Sequence, residues 1–167
     1  MTIALTIRRL SVHDAADFRA IRLEGLKDAP SAFGASYEEN VARPLADFAD
    51  RLGPPPDTVF GVFDAESLVG MAGFMVEKGH KERHKGYMWG VFVRPSHREK
   101  GVGKLLVAHV LDYARGHVEI LRASVVATNA TAAGLYLRLG FAVYGVERRA
   151  LKIDGRYFDE QLIAVEF

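Results

Sequence analysis

Apolar and polar positions alternate through Ile3, Leu5 and Ile7, which predicts a strand at the start of the chain. Ser11 followed by Asp14 has the spacing of a capping box and opens a helix carried by Phe18, Ile21 and Leu26, closed before Pro30. A second helix is predicted from about Pro44, because Leu45, Phe48, Ala49 and Leu52 recur at i, i+3, i+4 and i+7. Gly53 and the triple proline 54–56 end it. Two strand-like runs follow, "TVFGVFD" (58–64) and "LVGMAGFMVE" (68–77), joined by the turn Ala65-Glu66-Ser67. The polar loop "KGHKERHKG" (78–86) separates them from a fourth strand, "YMWGVFV" (87–93). Gly90, inside that apolar run, hints at a bulge, although simple packing would also account for it.

Further along, Val102, Leu105, Leu106, His109, Val110 and Tyr113 form one stripe and predict a long helix. "EILRASVVA" (119–127) reads as a fifth strand. Residues 129–139 read as a short helix, with Gly140 as a left-handed C-terminal cap and Phe141 folding back over it. Two last strands surround Asp154-Gly155, a favoured two-residue hairpin turn. The order is β-α-α-β-β-β-α-β-α-β-β. It predicts one mixed α/β domain over 1–167, with a mixed central sheet of six to seven strands and helices on both faces.

Composition narrows the function classes. The chain has 167 residues, 49% hydrophobic and 26% charged, as expected of one globular domain with a full core. A net charge of +1, from 22 basic and 21 acidic side chains, argues against nucleic-acid or membrane partners, so any cationic feature must be local. The basic loop 78–86 is one such feature; it reads either as a grip for an acidic tail or nucleic acid, or as a solvated connection. The absence of cysteine removes disulfides, thiolate ligands and a cysteine nucleophile. The first arginines follow the apolar residues and no apolar run spans a membrane, so a cytoplasmic location is expected. His109 with Asp112 lacks further ligands, and no metal is expected; His109 reads as a core histidine.

The candidate chemistry lies in "RPSHREKGVGKLL" (94–106), between a strand and a helix. It is not a nucleotide-hydrolysing phosphate loop, because Arg98 and Leu105 stand where a glycine and a hydroxyl are needed. Nor is it a dinucleotide fingerprint, since Leu106 takes the place of the third glycine. Glycines at 101 and 103 instead let successive N–H groups turn towards one anion at a helix N-terminus, and Arg98, Lys100 and Lys104 add positive charge. That is a pyrophosphate cradle.

The spacing Arg98-x-x-Gly101-x-Gly103 resembles the coenzyme A loop of the GNAT superfamily of N-acetyltransferases. In "TNATAAGLYLRLGF", Asn129, Ala132, Leu135, Tyr136, Gly140 and Phe141 match the superfamily's second signature, and the element order is similar over essentially the whole chain. The resemblance implies acetyl-CoA as cosubstrate, held by Arg98, Glu99, Lys100, Gly101, Val102, Gly103 and Lys104, with Asn129 contacting the pantetheine arm or capping its helix. Val91, Phe92 and Val93 would pair with that arm as with an added strand. A primary amine, on a small molecule or a protein, would attack acetyl-CoA directly in a ternary complex.

Tyr136 falls at the family's general-acid position, though its spacing also suits a core aromatic between Leu135 and Leu139. At ordinary pKa values a phenol protonates a leaving thiolate at a cost of ~2 kcal/mol. Phe33, Tyr37 and Glu38, in "PSAFGASYEE" (30–39), are expected beside the acceptor, with Glu38 or Glu39 as candidate base. A non-catalytic acyl-CoA-binding sensor is the alternative, and a homodimer is an open option for assembly.

Overall fold

The computed structural model describes residues 4–167; Ile3, assigned above to the first strand, lies outside the described residues. The elements are β1 (Leu5–Arg9), α1 (Ala15–Asp28), α2 (Tyr37–Val41), α3 (Leu45–Asp50), β2 (Thr58–Asp64), β3 (Ser67–Val76), β4 (Lys85–Val93), α4 (Val102–Arg115), β5 (Ile120–Val126), α5 (Ala130–Arg138), β6 (Ala142–Ile153) and β7 (Arg156–Glu166). The strands form one sheet in the order β1-β2-β3-β4-β5-β7-β6. Among the described residues only β4 and β5 pair in parallel; every other neighbouring pair is antiparallel. Among the described residues no helix is long and apolar enough to cross a membrane.

The period-two pattern of the strands divides the core between the two sheet faces. Phe60, Val62, Phe74 and Leu121 pack with Val102, Leu106, Val107 and Val110 of α4. Val59, Phe63, Leu68, Met71 and Phe92 pack on the other face with Phe18, Ile21 and Leu26 of α1 and Phe48 of α3. Between Asp154 (φ 48) and Gly155 (φ 76) both turn residues are left-handed, the conformation that an Asp-Gly hairpin turn requires.

Two helix readings change. A third helix, α2, precedes the one at 45–50. Ser36 Oγ accepts from the Glu39 N–H and the Glu39 carboxylate accepts from the Ser36 N–H, so local capping forms a helix too short for any periodicity to reveal. On α4 the buried face runs through Val102, Leu106, Val107, Val110, Leu111 and Ala114, and Leu105 is 38% exposed rather than central. His109 is half-buried, with its ring 4.7 Å from that of Phe60.

Trp89 is placed by a glycine. A Cβ at Gly73, its partner on β3, would stand 2.1 Å from the indole, so the ring lies across bare backbone and turns towards Phe18. Gly73→Ala is expected to destabilise the protein by about 1–3 kcal/mol and to shift the tryptophan emission, measured by urea unfolding followed through fluorescence.

At the entrance to α1, the Asp14 carboxylate accepts from the Ser11 N–H and from both terminal nitrogens of Arg8. The Arg8 hydrogen bonds above all, aided by the Ser11 amide, pull its pKa down from 3.8 to about 2. The folded carboxyl therefore binds its proton less readily than the unfolded one. Its contribution is complete above pH ~4 and disappears as the pH falls towards 2. Asp14→Asn should cost about 1 kcal/mol at pH 7 and flatten the acid limb of stability over that window, read from denaturation midpoints across pH. An unchanged acid limb would show that the carboxylate contributes nothing.

Candidate active site

The site begins where a ladder stops. The parallel pairing of β4 with β5 covers Lys85, Gly86 and Tyr87 against Ile120, Leu121 and Arg122, and goes no further. Beyond it, Met71 pairs with Phe92 and Gly73 with Trp89, so Gly90 and Val91 oppose the single residue Ala72. Gly90 takes φ +64, the left-handed conformation of a glycine bulge, and β4 bends away from β5. A cavity of about 1430 Å³ occupies the gap.

The edge of β4 beyond the bulge is readable from one hydrogen bond. The Arg94 N–H donates to Val69 O on β3, so by alternation Phe92 also turns its backbone groups to β3. Val91 and Val93 face the gap instead, and Val93 O there accepts from Arg98 Nε. Of the three residues expected to pair with a bound arm, two offer backbone groups on the open edge. Phe92 lines the cavity with its ring, beside Phe33 and Arg98.

The predicted cradle is at the N-terminus of α4. Glu99 (φ 61) and Gly101 (φ 78) are both left-handed and swing the chain into the helix. The first helical bond runs from the Leu105 N–H to Gly101 O, and no side chain caps the helix. The N–H groups of Val102, Gly103 and Lys104 therefore start the helix without intrahelical acceptors. A Cβ at Gly101 would meet nothing within 4 Å, and one at Gly103 only ordinary contacts, Leu135 at 3.5 Å being the nearest. Protein packing does not require a glycine at 103, and the bare backbone leaves room for a ligand to come close. The residues present fit a diphosphate.

Arg98, Glu99, Gly101, Val102, Gly103, Lys104 and Asn129 all line the cavity. Arg98 is already engaged, pairing with Asp28 as well as Val93, and so ties the cradle to α1 and β4. Lys100 does not line the cavity; its ammonium donates to Ser96 O. Asn129 caps α5, its Oδ1 accepting from the Ala132 N–H at 3.1 Å.

Tyr136 lines the cavity and is 8% exposed. Burial, with a smaller effect from Tyr87, pushes its phenol up to about 12. Against a thiol near 8.5 the transfer then costs about 5 kcal/mol rather than ~2, unless the same dry surroundings raise the sulfur as well. On the acceptor side Phe33 lines the cavity, but Tyr37 and Glu38 do not. Glu38 and Glu39 are exposed on α2, and the Ser36 backbone amide holds Glu39 below its ordinary pKa.

Among the lining residues that escape sequence reading are the ionisable Arg22, Tyr87, Arg138, Glu147 and Glu160. Glu147 and Glu160 are cross-strand partners on β6 and β7. Tyr87 donates to or accepts from Ser124 Oγ at 2.9 Å; burial first, and Glu160 among the charges, raises its pKa. An acidic residue within the alternation of β7 was the one available signal for Glu160. Arg22, between two apolar neighbours on α1, carried none. Among the described residues no cluster of histidine and carboxylate side chains could hold a metal.

Comparison with known proteins agrees with this geometry. Residues 19–141 match the model of the acetyltransferase (GNAT) family. The N-alpha-acetyltransferase RimI of Mycobacterium tuberculosis is 31% identical over 112 residues, covering 67% of this chain and 69% of that protein. The crystal structure of a GNAT-family acetyltransferase from Streptococcus pneumoniae superposes with a TM-score of 0.80 at 19% identity, over 98% of this chain and 100% of the other. The yncA protein of Salmonella typhimurium, solved with its cofactor acetyl-CoA, gives 0.80 at 22% identity over 98% and 94%. With a seven-stranded sheet opened beside a glycine cradle, the chain belongs to the acetyltransferase (GNAT) family and is an acyltransferase.

Proposed function

We propose that the chain transfers the acetyl group of acetyl-CoA to a primary α-amine by direct attack, with both substrates bound together. The observation that carries this reading is one continuous cavity, running from the N-terminus of α4 past the open edge of β4 to α1 and β7. The acetyl-CoA bound in yncA supports the choice of cosubstrate. When bound, acetyl-CoA supplies an activated thioester.

The amides of Val102, Gly103 and Lys104, with the Lys104 ammonium, would hold the diphosphate. Val91 through its backbone groups and Val93 through its N–H would hold the pantetheine arm in the manner of an added strand, and the Val91 N–H would polarise the acyl carbonyl. Tyr136 donates a proton to the departing sulfur. Its high pKa keeps the phenol protonated across the working range, so its deprotonation does not limit activity on the alkaline side.

An α-amine near pKa 8 loses only ~1.4 kcal/mol to protonation at pH 7, against ~4–5 kcal/mol for a lysine-like amine. The name of the mycobacterial relative, an N-alpha-acetyltransferase, favours the same class of acceptor. Glu160, on the cavity wall, is placed better than Glu38 to take the amine proton through a water. An amine panel scored by thiol release tests the whole reading, and a panel without any turnover would reject it.

Gly103→Ala separates folding from binding. The added methyl group meets only ordinary contacts and favours the helix, so Tm should hold or rise. Acetyl-CoA affinity should nevertheless fall about tenfold or more by calorimetry, because the methyl group occupies the approach to the cradle. Unchanged affinity would place the diphosphate elsewhere. Tyr136→Phe should lower kcat by about 10- to 1000-fold with little change in acetyl-CoA affinity. Equal kcat in rapid-quench assays would remove Tyr136 from the reaction.

A further inference from the structure

Arg22 is 6% exposed, yet it lines the cavity. Its Nε donates to Asn40 Oδ1 at 3.2 Å, and its Nη1 is buried without any partner. No carboxylate among the described residues forms an ion pair with it. The charges that act on it come from Arg51 and Arg43, both cations, and burial with those neighbours lowers its pKa to about 10. The guanidinium lies over Trp89 at 5.3 Å and Phe33 at 6.0 Å, which fixes its plane but satisfies none of its N–H groups. A buried cation without a counter-charge is costly, and among the described residues only the Asn40 hydrogen bond and the two ring contacts offset it.

The position of the orphan nitrogen is specific. A Cβ at Gly90 would stand 3.4 Å from Nη1, so the glycine bulge puts no side chain between the buried guanidinium and β4. The open edge of β4 is where the proposed reaction takes place. An anion paired with Nη1 would therefore lie on the side of the cavity from which the amine approaches. An α-amino acid meets this geometry, since one carbon separates its amine from its carboxylate. A peptide N-terminus has a neutral amide at the same place, which leaves Arg22 unpaired.

We infer that Arg22 anchors the carboxylate of the acceptor, and that the acceptor is a free α-amino acid or a close analogue with an anionic oxygen group beside its amine. The inference rests on the acetyl-transfer reading for its reaction but on Arg22 alone for its anion. A bidentate pair with the planar guanidinium both neutralises the buried charge and aims the amine.

The test compares amino acids with their C-terminal amides, which keep the amine and lose the charge. Wild-type protein should show kcat/KM about 10- to 100-fold higher for the acids than for the amides by thiol release. Arg22→Met should abolish that preference, and Arg22→Lys should keep part of it. Binding is read independently through Trp89, the single tryptophan of the chain, which lies against Arg22. N-acetylalanine, N-acetylleucine and N-acetylglutamate should change its emission saturably, and the corresponding amides should not.

Equal turnover of acids and amides would overturn the anchor while leaving acetyl transfer intact. If no amine in the panel is acetylated, the transfer reading fails and the titration alone decides Arg22. A saturable response to the acids that is absent with the amides and lost in Arg22→Met upholds it; any other pattern sinks it. The wild-type comparison stands even if a variant fails to fold.

Discussion

Everything at the site depends on a hydrogen-bond ladder that is cut short. Parallel strands normally continue pairing while their backbones stay in register, because each buried N–H and C=O needs a partner. Here β4 leaves β5 after Tyr87, as Gly90 and Val91 crowd opposite Ala72 and the left-handed glycine turns the strand aside. The exposed edge groups of Val91 and Val93 are the consequence. An extended ligand arm can complete the ladder that β5 abandons. Antiparallel pairing of β5 with β7 along its whole length keeps the opened sheet from falling apart.

A net charge of +1 conceals a strongly divided interior. One end of the cavity has the bare amides of α4 and Lys104; the α1 side has Arg22, with Arg43 and Arg51 acting on it. Glu147 and Glu160 line the cavity from β6 and β7, and Glu99 and Arg138 line it as well. Under the proposed reading the cations would meet the anionic parts of two substrates and the carboxylates the amine proton. Half-buried Tyr87 and buried Tyr136 complete the wall, and desolvation raises the pKa of both.

Much of this was legible because it is local. The strand 58–64 appears with the expected bounds, α4 begins at Val102 after its glycine, and Asp154-Gly155 turns the last hairpin. The predicted cradle residues are contiguous, so their grouping needed no knowledge of the fold; Lys100 alone of them does not line the cavity, because its side chain turns back to Ser96. Leu105 was misplaced because a helical stripe read from the sequence has no sharp edge until a sheet packs against it. Glu38 and Tyr37 sit near the cavity in the chain, but α2 carries them away from its wall.

By itself, the sequence determined the kinds of element, their order and the glycine turn before α4, since period, capping and glycine spacing act over a few residues. Only the tertiary structure decided that β7 rather than β6 lies beside β5, that Glu160 reaches the cavity, and that Arg22 is buried without a counter-charge. Such facts depend on which distant segments meet. A charged residue on a helix reads as solvated until neighbouring elements remove its water, and no local pattern records that removal.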